Sequence, residues 1–326
     1  MRLAVLRVAT IVAFGATSAD AQATPCASAP LAAQDACYAA VDYFQYMTPQ
    51  LGISLTGGNV ILGQGGSNGG LPRFSIGVRG NVVAGNLPDP QQPSETGPAF
   101  RIAANPYPTT DQYLGLPAVD ASIGLFRGFN VGFTSVGGVD ALVSAVFIPT
   151  VTTTAFSIEP DSPLKIGYGA RLGLIEETVL VPGIAVNVML RDLPTTSMLA
   201  TVGSDSLQVT ALSVKTTSWR VTAGKSFVGL SLAAGFGQDL YDASTGIEAI
   251  VNRPAPIGRV TTGLLNTSQK ITRTNYFGNL SLNLLAAKLV AEAGMISGGD
   301  IPTSNVFDVA ANASRIYGSV GLRIGF

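Results

Sequence analysis

From Pro72 to the end of the chain, apolar residues recur at every second position, the period at which a strand sends one face to a nonpolar phase and the other away from it. Phe74, Ile76, Val78 and Val82 alternate with Arg73, Ser75, Arg79 and Asn81. Ala121, Ile123 and Leu125 oppose Asp120 and Ser122, and Val139, Ala141, Val143, Ala145 and Phe147 oppose Asp140 and Ser144. A hairpin follows, with Ile166 to Leu174 set against Lys165 and Arg171, then Ile184 to Leu190 against Asn187 and Arg191. Glu176 and Glu177 sit between its strands and read as a solvated turn. Ser206 to Ser226 reads as one long strand without a register break, because Leu207, Val209, Ala211, Trp219, Val221 and Ala223 keep one parity. The next hairpin runs through Val228, Leu230, Leu232, Ala234 and Phe236 out to Tyr241. Thr272 to Leu284 pairs with Leu289 to Met295, and a C-terminal strand closes the set.

This spacing predicts an all-β protein, an antiparallel up-and-down transmembrane β-barrel of ten strands. The count becomes twelve if a further hairpin lies in Leu51 to Leu62 or inside a long loop. Connections near Ala84 to Pro117, Pro149 to Pro163, Asp192 to Asp205, Asp242 to Gln269 and Ser297 to Ser314 all fall at one end, and the short turns mostly at the other. Short periplasmic turns and long outer loops are the asymmetry such barrels have. Ahead of the strands, a short amphipathic helix is expected from Pro30 to Met47, stopped by Thr48-Pro49, with Ala33, Cys37, Ala40, Val41, Phe44 and Met47 on its apolar stripe. The Gly-rich stretch up to Gly70 reads as a flexible turn; the dinucleotide pattern fails because Asn68 stands where its third Gly belongs.

Composition agrees with strands in lipid. The 326 residues are 47% hydrophobic and only 12% charged, against roughly 25% charged in ordinary soluble chains. A mean hydropathy of +0.37 arises without a long apolar run, as it does when lipid-facing residues alternate with small or polar ones. The net charge of −1 offers no clustered basic surface for nucleic acid.

Both ends carry export information. Arg2 and Arg7 precede a short apolar core and an Ala19-Asp20-Ala21 site, so residues 1–21 read as a secretory signal peptide, 22–71 as a periplasmic or luminal N-terminal segment and 72–326 as the barrel. The apolar core is too short to span a bilayer. The last strand has the order polar-x-Gly-x-x-hydrophobic-x-aromatic in Ser319, Gly321, Ile324 and Phe326. It resembles the assembly signal of bacterial outer-membrane β-barrels, which implies a Gram-negative outer membrane and recognition by the barrel assembly machinery. The layout of a segment before the barrel also resembles the hatch of outer-membrane long-chain fatty-acid transporters, but no Asn-Pro-Ala stands there, so no substrate residue transfers. Cys26 and Cys37, the two cysteines present, are expected to form a disulfide in an oxidising compartment, and with no His in the chain a zinc site lacks ligands.

Parity places Arg73, Arg79, Asp120, Asp140, Lys165, Arg171, Arg191, Arg220, Arg273, Glu292 and Arg323 inside as pore-lining candidates. Their basic excess predicts a mild anion preference, unless they pair with acids and keep the interior wet or plugged. Trp219, Tyr241, Tyr276, Phe227 and Phe326 are candidates for interface girdles. No catalytic residue, metal or cofactor is expected, since serine hydrolysis needs a base such as His. The first functional expectation is a passive pore or small-solute transporter, with lipid and small solutes as partners. The alternatives are a hatch-bearing transporter of hydrophobic compounds, a structural or adhesive barrel without a conducting pore, and a soluble β-sandwich or solenoid.

Overall fold

A computed structural model describes residues 25–61, 63–89, 106–153, 156–284 and 287–325. The signal-peptide reading and Phe326 lie outside them. Ten antiparallel strands form the wall: β1 (Phe74–Pro88), β2 (Thr109–Phe126), β3 (Gly138–Phe147), β4 (Leu164–Ile175), β5 (Gly183–Asp192), β6 (Asp205–Phe227), β7 (Leu230–Asn252), β8 (Leu265–Leu284), β9 (Ala287–Ser297) and β10 (Arg315–Gly325). Each pairs with its sequence neighbours, and β1 pairs with β10 from Ser75↔Gly325 to Val83↔Tyr317, so the sheet closes on itself. Closure satisfies every ladder hydrogen bond within the protein, the condition for strands in hydrocarbon. Ile76, Val78, Ile166, Leu232, Leu280 and Leu322 are among the large apolar side chains exposed on its outer surface. The protein is therefore an outer-membrane-type β-barrel. No helix among the described residues is long and apolar enough to cross a membrane.

Strands β6 and β7 have 23 residues each and β8 has 20, where about 9–11 suffice to cross. Their surplus rises beyond the other strands at the long-loop end. A short strand, Thr196–Val202, pairs with the start of β6 and with Phe156–Pro160, extending this raised wall. The connections expected to span Ala84 to Pro117 and Asp242 to Gln269 are correspondingly shorter, because β1, β2, β7 and β8 run further than expected. β6 is also not in one register. Its pairing with β7 shifts between Thr210 and Ser213, and Ala211 takes φ 52°. This bulge flips the parity: Leu212, Val214 and Thr216 are buried below it, whereas Leu207 and Val209 pack on the internal core above it.

Helix α1 (Gln34–Thr56) lies inside the wall and contacts β1, β2, β5, β6, β7, β8 and β10. Its start packs beside Ala249 and Val251 near the top of β7, and its end reaches Arg220 and Asp239 farther down the bore. Residues 57–61 and 63–70 continue toward the short-turn end, where Gly70 meets Arg127. The chain thus threads the barrel from the long-loop mouth to the other rim before entering β1. Cys26 and Cys37 form the expected disulfide, at the long-loop mouth.

Two expectations about this helix fail. It runs through Pro49 instead of stopping there. Proline has no N–H for the carbonyl four residues back, but Gln269 Nε2 on β8 donates to Gln45 O at 3.2 Å and replaces that bond. Nor does the helix have one apolar stripe. Ala39, Tyr46 and Ile53 pack toward Val83, Tyr241, Ile271 and Tyr317, while Ala40, Phe44 and Leu55 pack toward Ala118, Val146 and Leu212. A helix enclosed by a barrel is buried on all sides, so amphipathicity is not required of it.

Candidate functional site

A helix ends with carbonyls that lack intrahelical donors and carry the negative end of the macrodipole. In α1 the barrel wall supplies the donors. Asn81 Nδ2 reaches Ile53 O and Ser54 O at 3.1 and 2.7 Å. Arg191 Nη1 donates to Leu55 O and Thr56 O at 3.1 and 3.2 Å, and Arg220 Nη2 to Thr56 O at 2.6 Å. Arg79 Nη1 donates to Gly57 O. Four wall side chains from β1, β5 and β6 therefore converge on one turn of backbone.

Buried guanidinium groups require compensation. Arg79 Nε pairs with Asp120 at 2.8 Å, and Ser144 Oγ donates to the same carboxylate at 2.6 Å. Arg220 lies 3.5 Å from Asp239, which also accepts from Thr56 Oγ1 at 3.3 Å and Asn275 Nδ2 at 3.1 Å. Glu292 is 3.1 Å from the Tyr317 hydroxyl and 3.4 Å from Asn279 Nδ2. Three arginines and three acids, all buried, thus surround the helix end.

Below this latch the Gly-rich segment is held as firmly, which corrects its reading as a free turn. Asn187 Nδ2 donates to Asn59 Oδ1 at 2.8 Å, Arg171 Nη2 donates to Gln64 O, and the Asn68 N–H donates to Asp140 at 3.0–3.1 Å. A side chain at Gly65 would place Cβ 2.5 Å from Gly224 N and 2.7 Å from Gly183 O, so glycine is what lets thread and wall touch. Glu176, expected in a solvated turn, accepts the Ser67 N–H at 3.0 Å and also bonds the Ser67 hydroxyl. Glu177 accepts from the Ser226 hydroxyl at 3.1 Å.

At the long-loop mouth, Asp42 accepts the N–H groups of Ser304 and Asn305 at 2.8 and 2.7 Å. Gln50 exchanges two bonds of 2.8 Å with the Asn86 backbone. Arg273 Nη2 donates to Asn312 O and Ala313 O at 3.0 and 2.7 Å. Phe307, from the same loop, stacks on Tyr107 and touches Tyr46, with ring centroids 5.8 and 4.6 Å apart. The loop from 298 to 314 is thereby fastened across the helix.

Of the inward candidates, Arg79, Asp120, Asp140, Arg171, Arg191, Arg220, Arg273, Glu292 and Arg323 lie buried within the barrel. Lys165 is half-buried toward the long-loop end, and Arg73 is exposed at the opposite rim. The buried ones face a filled interior, which displaces the picture of an open charged bore. In the terminal pattern, Ser319 Oγ donates to Asn81 Oδ1 at 2.8 Å and Ile324 faces outward. Tyr241 leaves the girdle set: it is fully buried inside, against Gly52. Asn81, Asp239, Tyr241, Asn275 and Tyr317 are the latch residues missing from the pore-lining candidates, and for all five inward strand parity is the signal that identifies them.

The helix fits the bore dimensionally. Ten strands spaced about 4.8 Å apart and tilted about 40° enclose a backbone cylinder about 20 Å across, and a helix with its side chains is about 10–12 Å wide. About 4–5 Å remains on each side, one layer of wall side chains.

No family model matches the chain, and no curated protein matches it in sequence. Similar solved structures include the translocator domain of the autotransporter NalP from Neisseria meningitidis, at 12% identity over 87% of this chain and 98% of that one, with a TM-score of 0.44. The transport unit of the autotransporter AIDA-I from Escherichia coli is 7% identical over 88% and 99% of the two chains, with a TM-score of 0.31. OmpT, an outer membrane protein of Vibrio cholerae, is 10% identical over 78% and 96%, with a TM-score of 0.21. No residue role passes from these structures to this chain.

Proposed function

We propose that the protein is a non-catalytic outer-membrane barrel held shut by its own N-terminal segment. Its working surface is the outer mouth, where the disulfide-stapled N-terminus and the long loops face the exterior. The signal peptide brings the chain to the periplasm, and the C-terminal strand presents it to the barrel assembly machinery. The observation carrying this reading is the latch: Asn81, Arg79, Arg191 and Arg220 are spent on the carbonyls at the end of α1. The basic lumen that suggested an anion path therefore serves to hold a helix. This favours the structural or surface-binding barrel over a passive pore, a small-solute transporter or a carrier of hydrophobic compounds.

Two measurements test the reading. In planar bilayers the full chain shows no steady conductance, and an epitope placed ahead of Pro25 is detected on intact cells. A steady anion current would reinstate the pore, and an epitope reached only after the outer membrane is permeabilised would put the N-terminus in the periplasm and refute its exposure at the outer mouth.

A further inference from the structure

Turns that face water are built from Gly, Pro, Asn, Asp and Ser. The short-turn end of this barrel uses Gly128, Gly132, Gly137 and Gly229 in that way but also exposes large apolar side chains at its tips. The β2–β3 connection is a small hairpin, Phe129–Val131 paired with Thr134–Val136, that carries Phe129 at 68% exposure and Phe133 at 73%. The β4–β5 turn exposes Val179 at 92% and Leu180 at 85%. Val228 protrudes from the β6–β7 turn. Three consecutive turns thus end in bare apolar side chains.

They are also fastened to one another. Glu176 N donates to Ser135 O at 2.9 Å, and Thr134 Oγ1 to Glu176 O at 2.8 Å, joining the first turn to the second. Lys225 Nζ donates to Val179 O at 2.9 Å and bonds Thr178 O, while Ser226 Oγ donates to Glu177, joining the second to the third. Such bonding ties the three turns into one rim on which the apolar tips stay exposed.

We propose that this rim is a membrane-docking surface, with the β2–β3, β4–β5 and β6–β7 turn tips sunk into the headgroup boundary of the periplasmic leaflet. Two observations select lipid as the occupant. The surface is continuous with the lipid-facing wall: Phe126, exposed at the end of β2, makes an edge contact with Phe129, ring centroids 5.2 Å apart. Its charge also suits anionic phospholipid. Arg73 and Arg127 are exposed at the same rim, whereas the neighbouring Glu176 and Glu177 are engaged by Ser67, Ser226 and Lys225. Apolar side chains such as Phe and Leu sink to this depth at the headgroup boundary, and basic groups favour anionic headgroups. The inference is independent of whether the lumen opens.

Trp219 is the sole tryptophan, so Phe133→Trp in a Trp219→Phe background reports one position, and Val179→Trp in the same background reports a second turn. Each full-length variant is reconstituted in phosphatidylcholine–phosphatidylglycerol vesicles after a heat-modifiability gel has verified its fold. Insertion of about 5–10 Å predicts blue-shifted emission and about a two-fold loss of intensity with lipids brominated near the glycerol end, with little quenching by iodide. Iodide quenching without bromolipid quenching at either position overturns the proposal. So does a blue shift that appears only when periplasmic extract is added, which would assign the rim to a protein partner.

Discussion

A single methyl group added to the helix should loosen its seat. At Gly52 a Cβ would lie 2.7 Å from Cγ and Cδ1 of Tyr241 and 2.9 Å from Cδ2. Carbon atoms pack at about 3.5–4.0 Å, so helix or ring must give by about 1 Å. The ring has little freedom, because Tyr241 is fully buried and its hydroxyl lies 3.3 Å from Thr56 Oγ1 and 3.5 Å from Asp239 Oδ2. Overpacking of this kind costs about 1–3 kcal/mol. With about 1.4 kcal/mol per ten-fold, G52A should raise the frequency with which α1 leaves its seat by about 5- to 150-fold. Gly52 belongs to no strand ladder, so the barrel itself should assemble normally. Single-channel recording in planar bilayers reads the effect as brief openings that wild type shows far less often. Equal open fractions for wild type and G52A, both correctly folded on a heat-modifiability gel, would refute the placement of this helix face.

Other perturbations address separate parts of the plug. Gln269→Leu removes the bond from Gln269 Nε2 to Gln45 O and should cost about 1–3 kcal/mol in urea unfolding of the detergent-solubilised barrel; Pro49→Ala, which returns a backbone N–H, should recover much of the loss. Replacing both Cys26 and Cys37 by Ser removes a bridge of sequence separation 11, worth about 3 kcal/mol by loop entropy, and should let added protease release the N-terminus from intact cells faster than in wild type. Glu176→Gln keeps the shape but weakens the bond to the Ser67 N–H, so hydrogen exchange at residues 63–70 should quicken while exchange in the strands stays unchanged.

Much of the wall was legible because lipid and interior impose opposite demands on alternate residues. Parity located ten strands and sent Arg79, Arg191 and Arg220 inside. It could not say what they meet there, since the helix that engages them lies far away in sequence. Pro49 reads as a helix stop because its usual context is water; here Gln269 supplies the missing donor. Tyr241 was misplaced where a preference for interfacial aromatics overrode its odd, inward position on β7. The bulge at Ala211 was hidden because the odd positions stay apolar on both sides of it, outward to lipid below it and inward to the plug core above it. The glycines from Gly57 to Gly70 carry no side-chain signal of contact, although at Gly65 the absence of a side chain is what permits it.

The most direct test joins plug to wall covalently. Gly52→Cys and Tyr241→Cys, placed together in a Cys26→Ser/Cys37→Ser background, bring two thiols within disulfide range, since the position-52 Cβ site is 2.7 Å from Tyr241 Cγ and bridged Cβ atoms lie about 3.5–4.5 Å apart. In native membranes a near-complete bond between helix and β7 is expected, seen as a mobility shift that reductant reverses. Two thiols that both remain free to react with maleimide, with no such shift in a correctly folded barrel, would contradict it.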